Sequence, residues 1–294
     1  MKVLVSGGTG LVGRYIVEGM LATGHAVTVG ARRPPSAGLF SQPVEFHPLH
    51  LDPELDQTRA FDGIEAFVHA AFDHMPGKYR GGEGNDPRRF RRLNLDGSVR
   101  LFETASNAGV GRAVFLSSRA VYDGLPSGTT LVEDLPLAPT SLYGQIKLAC
   151  EQALCQLSGP DFVTASLRAT GVYGELRPNK WDDLIAEASA GRPLAPRAGT
   201  EVHGEDVAEA VRLVLASEPS AVSAESFNIS DVTVDTRMIV EKLGLSAQFV
   251  AFAARSANVM DTAKIRAIGW QPGGMQLFKE TMALLALRQD TRHE

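Results

Sequence analysis

The chain has 294 residues, 44% hydrophobic and 21% charged, an ordinary balance for a soluble globular protein with one large domain or two lobes on one chain. Its formal net charge of −5 gives no global attraction to polyanions, which argues against nucleic acid or an anionic membrane as the main partner. No apolar run approaches the ~18 residues a bilayer span needs, and MKVLVSGGTG enters a strand at once without room for a secretion signal, so a cytoplasmic protein is expected.

In chain order, KVLVS (2–6) is predicted as a short buried strand that stops at the glycine-rich SGGTGLVG (6–13). The following helix carries Leu11, Val12, Ile16, Val17, Met20 and Leu21 on one face, and Gly24 supplies its stop. Further β-rich runs lie at 27–30, 66–71, 113–118 and 163–168, with helical patterns between them at 88–108 and 142–158. Strands alternating with helices predict a parallel sheet covered on both faces, a Rossmann-type doubly wound α/β fold. After about residue 170 the order loosens. WDDLIAEASAG (181–191) and EDVAEAVRLVLAS (205–217) read as helices, SFNIS (226–230) as a strand, and the remainder as a helical tail with a turn at 269–274. The segment DHMPGKYRGGEGNDP (73–87) is long and rich in glycine, the composition of a binding loop or a disordered connection. Cys150 and Cys155 fall five apart in one predicted helix and point away from each other, which favours neither a disulfide nor a metal site.

The glycine run follows a strand and opens a helix. Gly7, Gly10 and Gly13 let the backbone turn tightly and approach a diphosphate, while the helix start presents free N–H groups and a partial positive charge. Its expected ligand is a dinucleotide. In SLYGQIK (141–147), Tyr143 and Lys147 are four apart on a predicted helix and share a face. A tyrosine with a pKa near 10 is a poor base at neutral pH, and lowering it by ~3 units needs ~4 kcal/mol of preferential stabilisation, which a neighbouring ammonium can supply. Ser118 stands at the C-terminal end of the strand run AVFLSS, where open α/β sheets bind ligands, and its hydroxyl can orient a carbonyl or alkoxide oxygen.

Taken in order, these residues resemble an extended short-chain dehydrogenase/reductase, of the NAD-dependent epimerase/dehydratase group. GGTGLVG is similar to its cofactor turn, VHAA (68–71) to its fourth-strand signature, and NLDGSVRLFETASNAGV (94–110) to its fourth helix, with Asn94 in the active-site asparagine position. SSRAVYD (117–123), SLYGQIKLACEQ, LRATGVYG (167–174), VHGEDVAEAV (202–211) and KIRAIGWQP (264–272) resemble later landmarks. The resemblance implies a catalytic set of Ser118, Tyr143, Lys147 and Asn94. It implies cofactor contacts from Gly7, Gly10, Leu11, Val12, Gly13, Asp52, Ala70 and Ala71, together with Tyr143 and Lys147. It also implies a dinucleotide-binding domain over 1–170, to which 203–231 returns, a smaller C-terminal substrate-binding lobe from 171–202 and 232–294, and a homodimer through the helices at 88–108 and 142–158.

Three departures narrow the expectation. Sugar 4,6-dehydratases of this family carry Asp–Glu after the catalytic hydroxyl residue, whereas this chain has Arg119 and Ala120. Nucleotide-sugar enzymes usually have asparagine where Thr170 stands, and an arginine four residues before the histidine where Gly199 precedes His203, although Arg197 is near. The strand-end acid that holds the adenosine ribose is replaced by Ala31, followed by Arg32 and Arg33. Arginine pairs with a 2′-phosphate through parallel hydrogen bonds, so NADP is expected over NAD, with Arg32 the first contact and Arg33 the second.

RRFRR (88–92) reads as a solvated helix face, with Arg91 three residues before Asn94 as a lesser candidate for the pocket. His69 and His203 are expected to satisfy local backbone groups, and without ligand-spaced partners they predict no metal. Trp270 reads as a packing residue. The expected function is an oxidoreductase acting on a secondary alcohol or ketone of a carbohydrate-like molecule, with loop 73–87 as a lid. The alternatives are a sugar or nucleotide-sugar epimerase with tightly bound cofactor, and a non-catalytic dinucleotide sensor, against which the retention of Ser118, Tyr143 and Lys147 argues.

Overall fold

The computed structural model describes residues 1–75, 82–245, 248 and 258–290. The first strand, β1 (Lys2–Ser6), has the predicted bounds, and α1 (Leu11–Ala22) follows it after the glycine turn. Val3 and Val5 point to one side of the sheet and Leu4 to the other, the period of two that a strand imposes, and all three are fully buried because both faces are covered. The chain then lays down β2 (Ala26–Ala31), β3 (Glu45–Pro48) and β4 (Ala66–His69). A long helical stretch comes next: α2 (Pro87–Arg91), a π-helical turn at Arg92–Asp96, and α3 (Gly97–Asn107). It leads to β5 (Arg112–Ser118), a 3₁₀ turn at Arg119–Tyr122, α4 (Leu142–Gln156) and β6 (Val163–Ala169).

Beyond β6 come β7 (Gly171–Tyr173), α5 (Asp182–Ser189), β8 (Ala198–His203), α6 (Gly204–Ala216), α7 (Pro219–Val222), β9 (Glu225–Ile229), β10 (Val232–Asp235), α8 (Thr236–Lys242), α9 (Ala263–Ala267) and α10 (Gly274–Asp290). Seven strands form a parallel sheet in the order β3-β2-β1-β4-β5-β6-β9. Chain direction across the sheet reverses between β1 and β4, the switch point where such sheets bind ligands. One face is covered by α1 and α6, which approach closely at Gly19, where a Cβ would sit 2.7 Å from the Ala208 Cβ. The other carries Phe67, Leu101, Phe102, Phe115, Ile146 and Leu154 under α3 and α4.

A second sheet, β10-β8-β7, packs with Tyr173, Trp181, Phe278 and Met282 in a separate cluster. Ile265 and Trp270, from the tail, join the α1–α6 side of the main core instead. Four strands escape the sequence pattern, β3, β7, β8 and β10. They have three to six residues, too short for an apolar run or a clear period of two to mark them. The predicted strand 66–71 stops at His69, because the Ala70 and Ala71 N–H groups turn to Ser6. Cys150 is buried and Cys155 exposed, on opposite faces of α4. Among the described residues no helix is long and apolar enough to cross a membrane, and no group of three or more His, Cys, Asp or Glu residues could hold a metal ion.

Candidate active site

The glycine turn is a steric device. Gly7 has φ +68°, the left-handed region, and a Cβ there would sit 2.8 Å from Ala71 Cα. A Cβ on Gly13 would overlap the Gly7 carbonyl. Gly10 begins α1 with no side-chain cap, and its carbonyl takes the first intrahelical bond, from the Arg14 N–H. The N–H groups of Leu11, Val12 and Gly13 therefore have no intrahelical partner and face outward from the helix start, the arrangement a diphosphate fits.

Beside the turn, β4 is fastened to β1 through Ser6. Its Oγ accepts from the Ala70 and Ala71 N–H groups at 3.2 and 3.3 Å and lies 2.6 Å from His69 Nδ1. The other His69 nitrogen lies 2.9 Å from Ser98 Oγ, and Ser98 donates to the Asn94 carbonyl at 2.6 Å. With the Ser98 hydrogen committed, the consistent pattern has His69 Nε2–H donating and Nδ1 accepting from Ser6. Burial holds this imidazole neutral by pushing it down to about 3. His69 was expected to serve backbone groups; its partners are two serine hydroxyls, because Ser6 sits opposite it across the β1–β4 register.

The second half of the site is built from side chains. Ser118 ends β5, and its Oγ accepts from the Ala120 N–H at 3.1 Å, capping the 3₁₀ turn. That turn presses on the start of α4, where only glycine fits at 144 because a Cβ would overlap the Ala120 carbonyl. Ser141 caps α4 and donates to Asp123 at 2.7 Å, fastening helix and turn together. Tyr143 and Lys147 stack on the first turns of α4, with Lys147 Nζ 5.9 Å from the Tyr143 ring centroid. The ammonium is buried, donates to the Leu116 carbonyl at 2.7 Å, and lies 4.7 and 4.6 Å from the ring centroids of Phe72 and Phe115. Burial lowers it to about 8. Phe72 also meets the Tyr143 ring edge-on at 5.1 Å.

Asn94 lies buried in the π turn, a distortion frequent at functional sites. Its carboxamide is engaged with two backbone residues: Oδ1 accepts from the Asp73 N–H at 2.6 Å, and Nδ2 donates to the Asp73 carbonyl at 2.8 Å and to the Phe90 carbonyl at 2.9 Å. It thus holds the base of the 73–87 segment. Residues 76–81 of that segment, the centre of the expected lid, lie outside the described residues.

At the end of β2, Ala31 is the buried last residue, and Arg32 and Arg33 are exposed beyond it. Arg32 Nη1 lies 3.7 Å from one oxygen of Asp73, whose other oxygen takes Arg89 Nη1 at 3.0 Å. Asp52 accepts from the Glu54 N–H at 3.2 Å and from Arg92 at 2.9 Å, and both hold its carboxyl below the usual range. Of the RRFRR run, Phe90 is buried, Arg89 and Arg92 form these pairs, and Arg91 faces solvent. His203 accepts a local N–H, from Glu205, as expected, and its Nε2 stands 3.5 Å from Glu175. Trp270 is buried, its indole donating to the Asp206 carbonyl at 2.8 Å. The sequence reading did not find Ser6, Ser98, Phe72 or Asp73. The available signal was strand-end alignment at the switch point, which puts Ser6 level with His69.

Residues 3–230 match the family described as NAD dependent epimerase/dehydratase. A sterol-4-alpha-carboxylate 3-dehydrogenase, decarboxylating, from Bos taurus is 31% identical over 195 residues, 64% of this chain and 51% of that one. A UDP-glucose 4-epimerase from Bacillus subtilis is 32% identical over 187 residues, 59% of this chain and 53% of that one. The chain thus spans about half the length of these relatives. Among solved structures, a Thermus thermophilus UDP-glucose 4-epimerase in complex with NAD matches with a TM-score of 0.76 at 25% identity, over 96% of this chain and 99% of that one.

Proposed function

Because the chain belongs to the NAD dependent epimerase/dehydratase family, we propose that it is an NADP-preferring oxidoreductase acting at a secondary alcohol or ketone carbon of a small carbohydrate-like substrate. The observation that carries this reading is the buried Lys147 ammonium beside Tyr143, on a helix start locked against the turn that follows Ser118. When bound, the nicotinamide supplies the hydride carrier. Tyr143 exchanges the proton on the substrate oxygen, Ser118 orients that oxygen, and Lys147 favours the phenolate electrostatically. With its own pKa near 8, Lys147 keeps its charge at neutral pH. Gly7, Gly10 and Gly13, with the N–H groups of Leu11 and Val12, would hold the diphosphate, and Ala70 and Ala71 would line the same cleft. Ala31 presents no carboxylate to a 2′-phosphate, and exposed Arg32 and Arg33 stand next to it, which supports NADP.

The departures from the family pattern bear on the substrate. The two positions of the dehydratase carboxylates hold Arg119 and the buried Ala120, so neither acid of the elimination step is present. The Thr170 hydroxyl turns to the Ile229 carbonyl at 3.4 Å, away from a role in gripping a nucleotide. A sugar, sugar acid or comparable hydroxy or keto compound fits these features better than a nucleotide sugar. The second reading, an epimerase that retains its cofactor, is favoured by the resemblance to UDP-glucose 4-epimerase. Homodimerisation through α3 and α4 and residence in the cytoplasm complete the proposal.

A screen of sugars, uronic acids and nucleotide sugars with NADP⁺ and NAD⁺ in parallel tests it. Reduced nicotinamide accumulating with NADP⁺ supports the oxidoreductase. Isomerised sugar with unchanged absorbance supports the epimerase, and no turnover of any substrate defeats both.

A further inference from the structure

β1 lies between β2 and β4, so the segments leaving those two strands flank the glycine turn that leaves β1. Arg32 stands on the first segment and Asp73 on the second, and their side chains meet at 3.7 Å across the end of β1. The two partners are held very differently. Asp73 has both its N–H and its carbonyl bonded by the buried Asn94 carboxamide, and Arg89 pairs with its second oxygen at 3.0 Å. The Arg32 side chain is 78% exposed. A fixed carboxylate is therefore presented to an exposed guanidinium whose fork is suited to a phosphate.

We infer that Asp73 is a cofactor-selectivity residue, an internal anion that competes with the 2′-phosphate of NADP for Arg32. The inference rests on the dinucleotide reading and adds a residue that opposes the phosphate preference set by Ala31, Arg32 and Arg33. A phosphate offers three acceptor oxygens and more charge than a carboxylate, so it displaces Asp73 when it binds. NAD brings no such group, and its affinity is indifferent to the pair. Exposed ion pairs are weak, so the competition amounts to a factor of about two to five.

The test is the dissociation constants of NADP⁺, NAD⁺ and adenosine 2′,5′-bisphosphate for the wild type, Asp73→Asn, Arg32→Ala and the double variant, by calorimetry at low and high salt. Asp73→Asn keeps the backbone that Asn94 holds, and Asp73→Glu, which keeps the charge, serves as the control for any disturbance of the loop base. Expected is a tightening of NADP⁺ and the bisphosphate by about two- to fivefold in Asp73→Asn, with NAD⁺ unchanged. The gain is absent in the Arg32→Ala background, shrinks at high salt, and is not reproduced by Asp73→Glu. Equal tightening of both dinucleotides, a gain that survives Arg32→Ala, or weakened NAD⁺ binding overturns the inference while leaving the dinucleotide reading intact. Weakened NAD⁺ would make Asp73 a ribose acceptor instead. A wild type that binds neither dinucleotide overturns the inference together with the reading beneath it.

Discussion

The glycine turn after β1 and the corner formed by β5 and α4 open on the same edge of the sheet, yet they are made of opposite materials. The turn is backbone against backbone: Gly7 and Gly13 are needed because a side-chain atom would overlap Ala71 or Gly7 itself. Its proposed fit for a phosphate and its fit within the fold rest on the same glycines. The corner is built around a charged side chain that is costly to bury. Lys147 is a buried ammonium whose burial favours its neutral form, eased by the Leu116 carbonyl and the faces of Phe72 and Phe115. Substitutions in the turn should therefore harm stability and binding together, and those in the corner should separate stability from activity.

The largest effect expected is at Tyr143. Tyr143→Phe keeps the ring that packs on Phe72 and removes only the hydroxyl, so turnover should fall by about 10²–10⁴-fold while dinucleotide affinity and melting temperature stay near wild type. Near-wild-type kcat would remove Tyr143 from the chemistry. Next is Gly13→Ala, whose methyl group must push on the Gly7 carbonyl. Overpacking of this kind costs about 1–3 kcal/mol, and the expected outcome is a lower denaturation midpoint with weakened binding of NADP⁺ and NAD⁺ alike. Loss of one without the other would break the equivalence claimed for the turn. Lys147→Met should do the reverse, raising stability at pH 7 by about 1–3 kcal/mol while abolishing most turnover. The sign follows from linkage: a lysine pulled from its ordinary range to about 8 opposes folding while charged, and that opposition fades as pH rises from 8 toward the unfolded value. Reduced stability at pH 7 would mean that the Leu116 bond and the aromatic faces outweigh desolvation.

The same contrast explains what could be read in advance. The turn is local, with its glycines within seven residues behind a strand whose bounds were read correctly, so spacing alone reveals it. Tyr143 and Lys147 are one helical turn apart and equally local. Ser6, His69 and Ser98 form one hydrogen-bonded chain from residues 29 and 63 positions apart, and Asp73 meets Arg32 only after β2 and β4 take their places beside β1. No periodicity encodes those meetings. β7, β8 and β10 were missed for a related reason: strands this short are stabilised by their partners and by Tyr173, Trp181 and Phe278, and those contacts are tertiary.

Asp206 supplies a control, because it is a buried charge with no place in the proposed chemistry. It lies in the first turn of α6, with one oxygen accepting from the Gly273 N–H at 3.0 Å and the other buried without a hydrogen-bond partner among the described residues. Burial raises its carboxyl to about 6, and Asp231 and Glu205 push in the same direction while the Gly273 bond and His203 oppose. A carboxyl raised on folding contributes its full stability below the unfolded pKa, near 4, and loses it as pH rises through about 6. Asp206→Asn retains an acceptor for Gly273 and removes the titration. The variant should match wild type near pH 4 and exceed it by about 1–3 kcal/mol near pH 7.5, with turnover unchanged. Denaturant midpoints at the two pH values check this. If the variant gains stability but loses turnover as Lys147→Met should, buried charge outside the cleft also serves activity, and the division between turn and corner is drawn in the wrong place.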